Sequence, residues 1–310
     1  MPELLAHLAL ACEHRARLQA DPEQTAYRVF HGYGEGAPGL LIDRLGDCLV
    51  VTHREEHADR LDDLLDFLAQ HGLPMEFVVA RSRRGGGQPV VVRGAASAEP
   101  TVVLDGGLCF EVEPLSARNA GLYLDARPAR AWLREHSDGR RVLNLFAYTG
   151  SLGLAAAAGG ARSVMHVEMQ KRALIRLKRN HLLNELPIDE RDIVKSDLYP
   201  HLRRLARRGT TFDGVILDPP PQVPRRGQAP VGQDYPRLVP LAVDVLAPGG
   251  WLLCFFSSYE RTRQAYEAEV LAASPCPLEV IGRGQSGSDF PEADPEAKLR
   301  FTAFERPAGR

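Results

Sequence analysis

The chain of 310 residues has no cysteine pair at CxxC spacing, no uncharged apolar run of membrane-spanning length and no excess of either charge. Its five cysteines (Cys12, Cys48, Cys109, Cys254, Cys276) are scattered and odd in number. That argues against a disulfide scaffold or a zinc ribbon and for a reducing, cytoplasmic setting. Lacking a long apolar run, the sequence predicts no membrane-spanning helix. Lys plus Arg number 38 against 40 Asp plus Glu, a formal net charge of −2. This excludes a tail-driven, histone-like nucleic-acid binder but leaves room for a local basic surface. The ten histidines show no metal-ligand spacing, so no metal is expected. What is present is ordinary for a globular protein: 44% hydrophobic and 25% charged residues. A chain of this size buries a large core without crosslinks, and its length predicts two domains or one large one.

The first residues, MPELLAHLALACEHRARLQA, carry Glu3 early and run into Glu13, His14, Arg15 and Arg17. Apolar residues at helical spacing predict an amphipathic helix over 3–20, not a signal peptide, ended by Asp21-Pro22. Residues 1–24 are thus expected as an N-terminal helix and 25–115 as a small α/β domain, a candidate for RNA or substrate contact. That domain has short strands at Tyr27–His31, Gly39–Ile42, Cys48–Thr52, Phe77–Ala80 and Val90–Val92, with a helix over 57–71. Beyond residue 116 strands and helices alternate. RVLNL, SVMHVEM, DIVKSD, FDGVILDPP and WLLCFFSS read as strands; LGLAAAAGG, KRALIRLKRNHLLN and LVPLAVDVLAPGG read as helices. LEVIGRG and KLRFTAFER add two closing strands. The expected fold is α/β, a mostly parallel seven-stranded Rossmann-like sheet over 116–310 preceded by the small domain.

In such a sheet ligands bind at the carboxyl ends of the strands, and four of those ends carry polar groups. Asn144–Gly153 (NLFAYTGSLG) follows the first strand; its glycine permits close backbone approach, and the next helix offers free N–H groups. The motif is neither GxGxxG nor a P-loop, and a plain strand–turn–helix remains the alternative. Glu168, about 20 residues on, ends the second strand and can accept hydrogen bonds from ribose hydroxyls; a capping carboxylate is the plainer role. Asp197 ends the third strand and suits an adenine edge. Asp218-Pro219-Pro220-Pro221 ends the fourth, where the prolines force the chain out of the sheet and form a rigid rim.

These strand ends resemble those of class I S-adenosylmethionine (SAM)-dependent methyltransferases over residues 141–306. Four segments are similar to the bacterial 23S rRNA cytosine-carbon-5 methyltransferase family: QTAYRVFHGYGEGAPGLLIDRLGDCLVV (24–51), NAGLYLDARPAR (119–130), VLNLFAYTGSLGLAAAAGGA (142–161) and FDGVILDPP (212–220). The resemblance covers nearly the whole chain from about residue 10. It implies SAM as cofactor, with Asn144, Phe146, Ala147, Tyr148, Thr149 and Gly150 forming the methionine-side loop. Glu168 would hold the ribose, Met169 would lie beside the adenine, and Asp197 and Leu198 would meet the adenine edge. Tyr123, Asp125 and Arg127 of GLYLDAR would cover the cofactor, and Asp218 and Pro219 would orient the acceptor.

Two departures from that family stand out. Its PUA domain is expected to be absent, since one helix precedes the small domain. Its catalytic cysteine, in a Ser-Cys-Ser segment after the fifth strand, aligns with Ser257 when counted from Gly249-Gly250. Carbon-5 of cytosine is a poor nucleophile until a thiolate adds at carbon-6, and a serine hydroxyl does not supply that nucleophile without strong activation. Cys254, three positions earlier, is expected to be buried and inert. The substrate class implied is RNA, at an rRNA base; the target atom stays open, with direct methylation of a nitrogen or oxygen favoured if Ser257 replaces the nucleophile. Arg225 and Arg226, beyond the DPPP rim, are the leading RNA contacts; Arg81, Arg83, Arg84, Arg203, Arg204, Arg207 and Arg208 are basic positions more often solvated. Two alternatives remain open at this level: the same fold acting on a small molecule or protein, and a non-catalytic SAM-binding ribosome-assembly protein. The oligomeric state, a homodimer included, is also open.

Overall fold

The computed structural model describes residues 2–82, 88–97, 99–117, 119–220, 223–225, 228–231, 234–257 and 261–309. The chain divides into two compact units: unit 1, Met1–Arg127 with Gly287–Pro295, and unit 2, Pro128–Ser286 with Glu296–Arg310. These compact units are drawn differently from the expected division at 24/25 and 115/116. The N-terminal helix packs into unit 1, the boundary falls at Arg127, and a late segment returns to unit 1. Among the described residues no helix is long and apolar enough to cross a membrane.

Unit 1 opens with α1 (Pro2–His14) and α2 (Ala16–Ala20). The helix expected over 3–20 breaks at Arg15, which is 2% exposed and reaches inward to the Arg28 carbonyl (3.1 Å), the Glu35 carboxylate and the Asp289 carbonyl (3.0 Å). A five-stranded sheet follows, ordered β1 (Ala26–His31), β2 (Leu41–Leu45), β3 (Cys48–His53), β4 (Phe77–Ser82), β5 (Val90–Gly94). All its neighbours are antiparallel except β3 and β4, which α3 (Leu61–Gln70) joins as a parallel crossover. Leu8 of α1 and Leu64, Leu65 and Leu68 of α3 pack with Tyr27, Phe30, Ile42, Leu49 and Val78. A hairpin that the residue pattern did not announce, β6 (Thr101–Asp105) and β7 (Leu108–Val112), turns at Gly106 and Gly107. Both glycines have positive φ (59° and 77°), as a tight two-residue hairpin turn demands.

The late segment is fixed in unit 1 by Asp289, 1% exposed. Its carboxylate accepts from the Arg28 N–H (3.1 Å) and from both Arg127 terminal nitrogens (2.7 and 3.3 Å). Arg127 also donates to Asp105 (3.0 Å), and the Arg28 side chain grips Asp43 (2.7 and 3.1 Å). Every buried charge in this group has an opposite charge within hydrogen-bond reach, which is what makes its burial tolerable.

In unit 2, after α4 (Arg127–His136), come β8 (Arg141–Leu145), α5 (Ser151–Ala158), β9 (Ser163–Glu168), α6 (Lys171–Leu183), β10 (Ile193–Lys195), α7 (Leu198–Arg207) and β11 (Phe212–Leu217). Two short strands, β12 (Val223–Arg225) and β13 (Gln228–Val231), precede α8 (Tyr235–Asp244), β14 (Leu246–Phe256), α9 (Arg263–Ala273), β15 (Glu279–Gln285) and β16 (Arg300–Glu305). Among the described residues the main sheet has seven strands in the order β10-β9-β8-β11-β14-β16-β15. β16 runs antiparallel to both its neighbours, and the β10-to-β14 run is parallel throughout. Leu202 and Leu205 of α7, Leu238 and Val239 of α8, and Tyr266 and Val270 of α9 share one core with Leu143, Leu217, Leu252 and Cys254. The helix expected over 238–250 ends instead at Asp244, and Leu246 already pairs with Phe212. Pro248 cannot extend a helix, and Gly249 and Gly250 bond to the Arg306 backbone at 2.7 and 2.9 Å.

Asp289→Ala leaves the Arg28 N–H without its acceptor and the buried Arg127 guanidinium with Asp105 alone, so unit 1 should lose about 3–5 kcal/mol. Urea unfolding followed by a probe within unit 1 measures the loss; a midpoint unchanged from wild type would mean that Asp289 contributes nothing to holding the segment.

Candidate active site

The chain moves outward from β8 to β9 to β10, then returns to the other side of β8 for β11 and β14. Where strand order reverses, the connections leave β8 and β11 in opposite directions and a crevice opens at their carboxyl ends. The loop leaving β8 has an unusual backbone. Phe146 (φ 56°) and Tyr148 (φ 49°) are left-handed although neither is glycine, and Gly150 follows at φ 85°. Each left-handed L-residue costs about 1–2 kcal/mol, so neighbouring contacts must hold the loop. Ala147 N–H donates to the Val167 carbonyl (3.1 Å), Tyr148 N–H to Glu168 Oε2 (2.9 Å), and the Asn180 side-chain amide to the Thr149 carbonyl (2.9 Å). Ala147 packs on Leu174 and Leu177 of α6.

The structure thus divides the residues expected in this loop. Asn144 and Thr149 are 1% exposed and Ala147 6%, so they hold the loop from beneath. Phe146 and Tyr148 are half-buried at its surface. Glu168 at the end of β9 accepts from the Tyr148 and Gln170 N–H groups, at 2.9 and 2.8 Å, one bond on each oxygen. A carboxylate has about four acceptor positions, so both oxygens keep capacity for further donors. Met169 beside it is 64% exposed.

Asp197 caps α7, accepting from the Tyr199 N–H at 2.9 Å. Leu198 is buried in the core, which leaves its backbone and not its side chain to meet a ligand. Asp218 and Pro219 follow β11, and half-buried Ser257 follows the adjacent strand β14. Cys254 is fully buried in the core with Leu252 and Phe256, and burial raises its thiol far above the ordinary range. Cys254 lies inside β14, whereas Ser257 lies one residue past its end. Tyr123, Asp125 and Arg127 belong to unit 1. Tyr123 is half exposed, and the Arg127 guanidinium is engaged by Asp105 and Asp289. Arg225 lies in β12; Arg226, Pro221, Arg83 and Arg84 lie outside the described residues.

The residue pattern missed the layer beneath the loop: His166 of β9, Asn180 and His181 of α6, and Gly153 of α5. Their one signal was polar residues on the buried face of α6, in register with Leu174 and Leu177. Gly153 is where it is because a Cβ there would lie 2.9 Å from Asn144 Nδ2 and closer still to the His166 ring. Gly→Ala in a helix ordinarily stabilises by about 1 kcal/mol. Here overpacking of about 1–3 kcal/mol should reverse the sign. Urea denaturation of Gly153→Ala should show a lowered midpoint, and a raised one would contradict this packing.

Comparison with known proteins agrees with this geometry. The family model described as S-adenosylmethionine-dependent methyltransferase matches residues 27–305. A ribosomal RNA large subunit methyltransferase I from Yersinia pseudotuberculosis is 32% identical over 240 residues, 75% of this chain and 61% of its own length. The chain therefore spans about three-fifths of the curated relatives it matches. In fold it is similar to SMU.776, solved in complex with SAH (TM-score 0.87, 21% identity, 97% of this chain and 80% of that one). It is also similar to a SAM-dependent methyltransferase from Agrobacterium tumefaciens (TM-score 0.63, 22% identity, 87% and 88%). With the family model spanning both units and the strand-end crevice in place, the chain belongs to the S-adenosylmethionine-dependent methyltransferase family.

Proposed function

We propose that this methyltransferase modifies an RNA base, with ribosomal RNA as the substrate class, in a cytoplasmic setting. The observation that carries the RNA reading is the similarity to ribosomal RNA large subunit methyltransferases over three quarters of the chain. The residues present suit SAM. Glu168 keeps acceptor capacity on both oxygens for ribose hydroxyls, exposed Met169 offers apolar surface to an adenine, and the Asn144–Gly150 loop approaches with its backbone. Asp197 and Leu198 would meet the adenine edge, and Tyr123, Asp125 and Arg127 would cover the cofactor. When bound, SAM supplies a methyl group made electrophilic by its sulfonium. The protein's own work is then orientation, which by itself is worth several kcal/mol of barrier.

Asp218 and Pro219 are the acceptor-side groups, at the end of the strand next to β8. Asp218 would accept a hydrogen bond from a base amino group, and Pro219 would hold the rim rigid. Basic residues including Arg225 and Arg226 would contact the RNA backbone. The placement of Cys254 favours chemistry without a covalent base adduct. Its thiol is sealed in the core, and the Ser257 hydroxyl is too weak a nucleophile at neutral pH. This supports transfer to a ring or exocyclic heteroatom that needs no prior activation, and sets the protein apart from the cytosine-carbon-5 chemistry of the family it resembles.

Mass spectrometry of rRNA nucleosides from a deletion strain, followed by methylation of the unmodified RNA in vitro, tests the substrate. A full set of modifications in the deletion strain would remove rRNA as the target. Glu168→Ala should weaken SAM by about 1.5–3 kcal/mol, one to two decades, in calorimetry; an unchanged affinity would show that Glu168 does not hold the ribose. RNA carrying 5-fluorocytosine should form no trapped adduct with the wild type. A stable adduct at Cys254 would overturn the non-covalent reading.

A further inference from the structure

Beneath the loop lies a line of hydrogen bonds whose direction can be read atom by atom. Asn144 Nδ2 is 3.2 Å from His166 Nδ1, His166 Nε2 is 3.3 Å from His181 Nε2, and His181 Nδ1 is 3.4 Å from the Leu186 carbonyl. Asn144, His166 and His181 are 1%, 0% and 2% exposed, and the two rings meet edge to face at 5.2 Å. The Leu186 carbonyl only accepts, so His181 carries its proton on Nδ1. A neutral His181 then accepts at Nε2, which puts the proton of His166 on its own Nε2. His166 Nδ1 is left as an acceptor, and the Asn144 amide donates to it. The line therefore runs one way, from Asn144 through both rings to Leu186. It also fixes the Asn144 amide with Oδ1 turned away from His166 and without a hydrogen-bond partner among the described residues.

The line is tied to the cofactor loop at both ends of that loop. Asn144 is the last-but-one residue of β8, where the loop begins. One residue before His181 on α6, Asn180 (0% exposed) donates to the Thr149 carbonyl, where the loop ends, and Asn184 in turn donates to the Asn180 carbonyl at 2.7 Å. Space for the line exists only because α5 carries Gly153 against the His166 ring and Asn144. The two left-handed residues of the loop lie between these ties, so loosening either end lets the backbone relax toward cheaper conformations.

We propose that His166 and His181 are positioning residues for SAM: together they hold the Asn144–Gly150 loop in its strained form, and they do so only while both rings are neutral. The proposal rests on the reading of that loop as the SAM-binding segment. A proton added to either ring places two hydrogens on one contact, between the rings or between His166 and the Asn144 amide. Among the described residues no nearby carboxylate rewards the added charge. Strand register sets Asn144 of β8 and Ile193 of β10 beside His166, α5 offers Gly153, and among the described residues the titratable neighbour of His166 is His181, itself neutral. His181 faces the Leu186 backbone and, among the described residues, no carboxylate. Burial accordingly lowers both rings from the ordinary histidine range, His166 the further. An opened loop would let the rings take protons near the ordinary value of about 6.5. The closed loop refuses those protons, so its stability is complete above that value and falls as pH drops below it.

Three measurements test this. Histidine side-chain nitrogen NMR on the ligand-free protein at pH 7.5 should show the Nε2–H tautomer for His166 and the Nδ1–H tautomer for His181; an imidazolium or the reverse tautomers would overturn the proposal. In calorimetry His181→Leu should bind SAM about tenfold more weakly, while His181→Gln, which can both accept and donate, should recover most of the loss. Wild-type affinity should fall about tenfold from pH 7.5 to 5.5, a dependence absent from the double variant His166→Gln/His181→Gln. Equal affinity of a folded His181→Leu and the wild type, or a wild-type affinity flat over that range, would overturn the positioning role alone. A wild type that binds no SAM at any pH would instead overturn the reading of the loop and, with it, this proposal. If His181→Leu does not fold, the tautomers and the His181→Gln comparison still decide.

Discussion

The left-handed backbone at Phe146 and Tyr148 is the constraint around which the site is built. Two residues with side chains adopt a conformation that glycine takes freely, at a combined cost of about 2–4 kcal/mol. What offsets it is a ring of specific bonds: the Val167 carbonyl, the Glu168 carboxylate and the Asn180 amide each take one piece of loop backbone. Those partners come from β9 and α6, so the loop after β8 has its shape only when the second strand and second helix are in place. Glu168 is the economical part of this arrangement, since one carboxylate both anchors Tyr148 and remains able to accept from a ligand.

The same dependence explains why the layer beneath the loop is polar. An apolar filling could pack, but it would not fix the rotation of the Asn144 amide or the direction of the hydrogen bonds through His166 and His181. Buried polar groups are costly unless satisfied and then specify a single arrangement. Gly153 is the complementary choice: a helix former is given up so that two polar side chains fit against α5.

In unit 1 a comparable rule operates with full charges. Arg15, Arg28 and Arg127 converge on acceptors that include Asp43, Asp105, Glu35 and both the carboxylate and the carbonyl of Asp289. Asp289 is more than 160 positions from Arg127 in the chain, and it is this pairing that carries Gly287–Pro295 into unit 1. Arg127, which resemblance to related methyltransferases would place over the cofactor, has its guanidinium held by two carboxylates of its own unit. It can serve a ligand only in concert with those carboxylates.

Periodicity and turn residues alone determined the parallel strands beyond residue 116, three of the helices between them, the two closing strands and the strand ends bearing Asn144, Glu168, Asp197 and Asp218, while α4 and α9 were not read from them. Those are local properties, since side-chain alternation, helical spacing and the exit forced by Pro219 are set within a few residues. The Gly106-Gly107 hairpin was legible in principle, because its turn chemistry is local too. Three features were decided only by tertiary structure. The break at Arg15 follows from partners 13, 20 and 274 positions away. The end of α8 at Asp244 follows from Leu246 pairing with Phe212 and from the bonds of Gly249 and Gly250 to Arg306. The neutral line from Asn144 to Leu186 joins β8, β9 and the end of α6. No sequence window contains both halves of such contacts, and the conformation each residue adopts there is set by the partner that satisfies it.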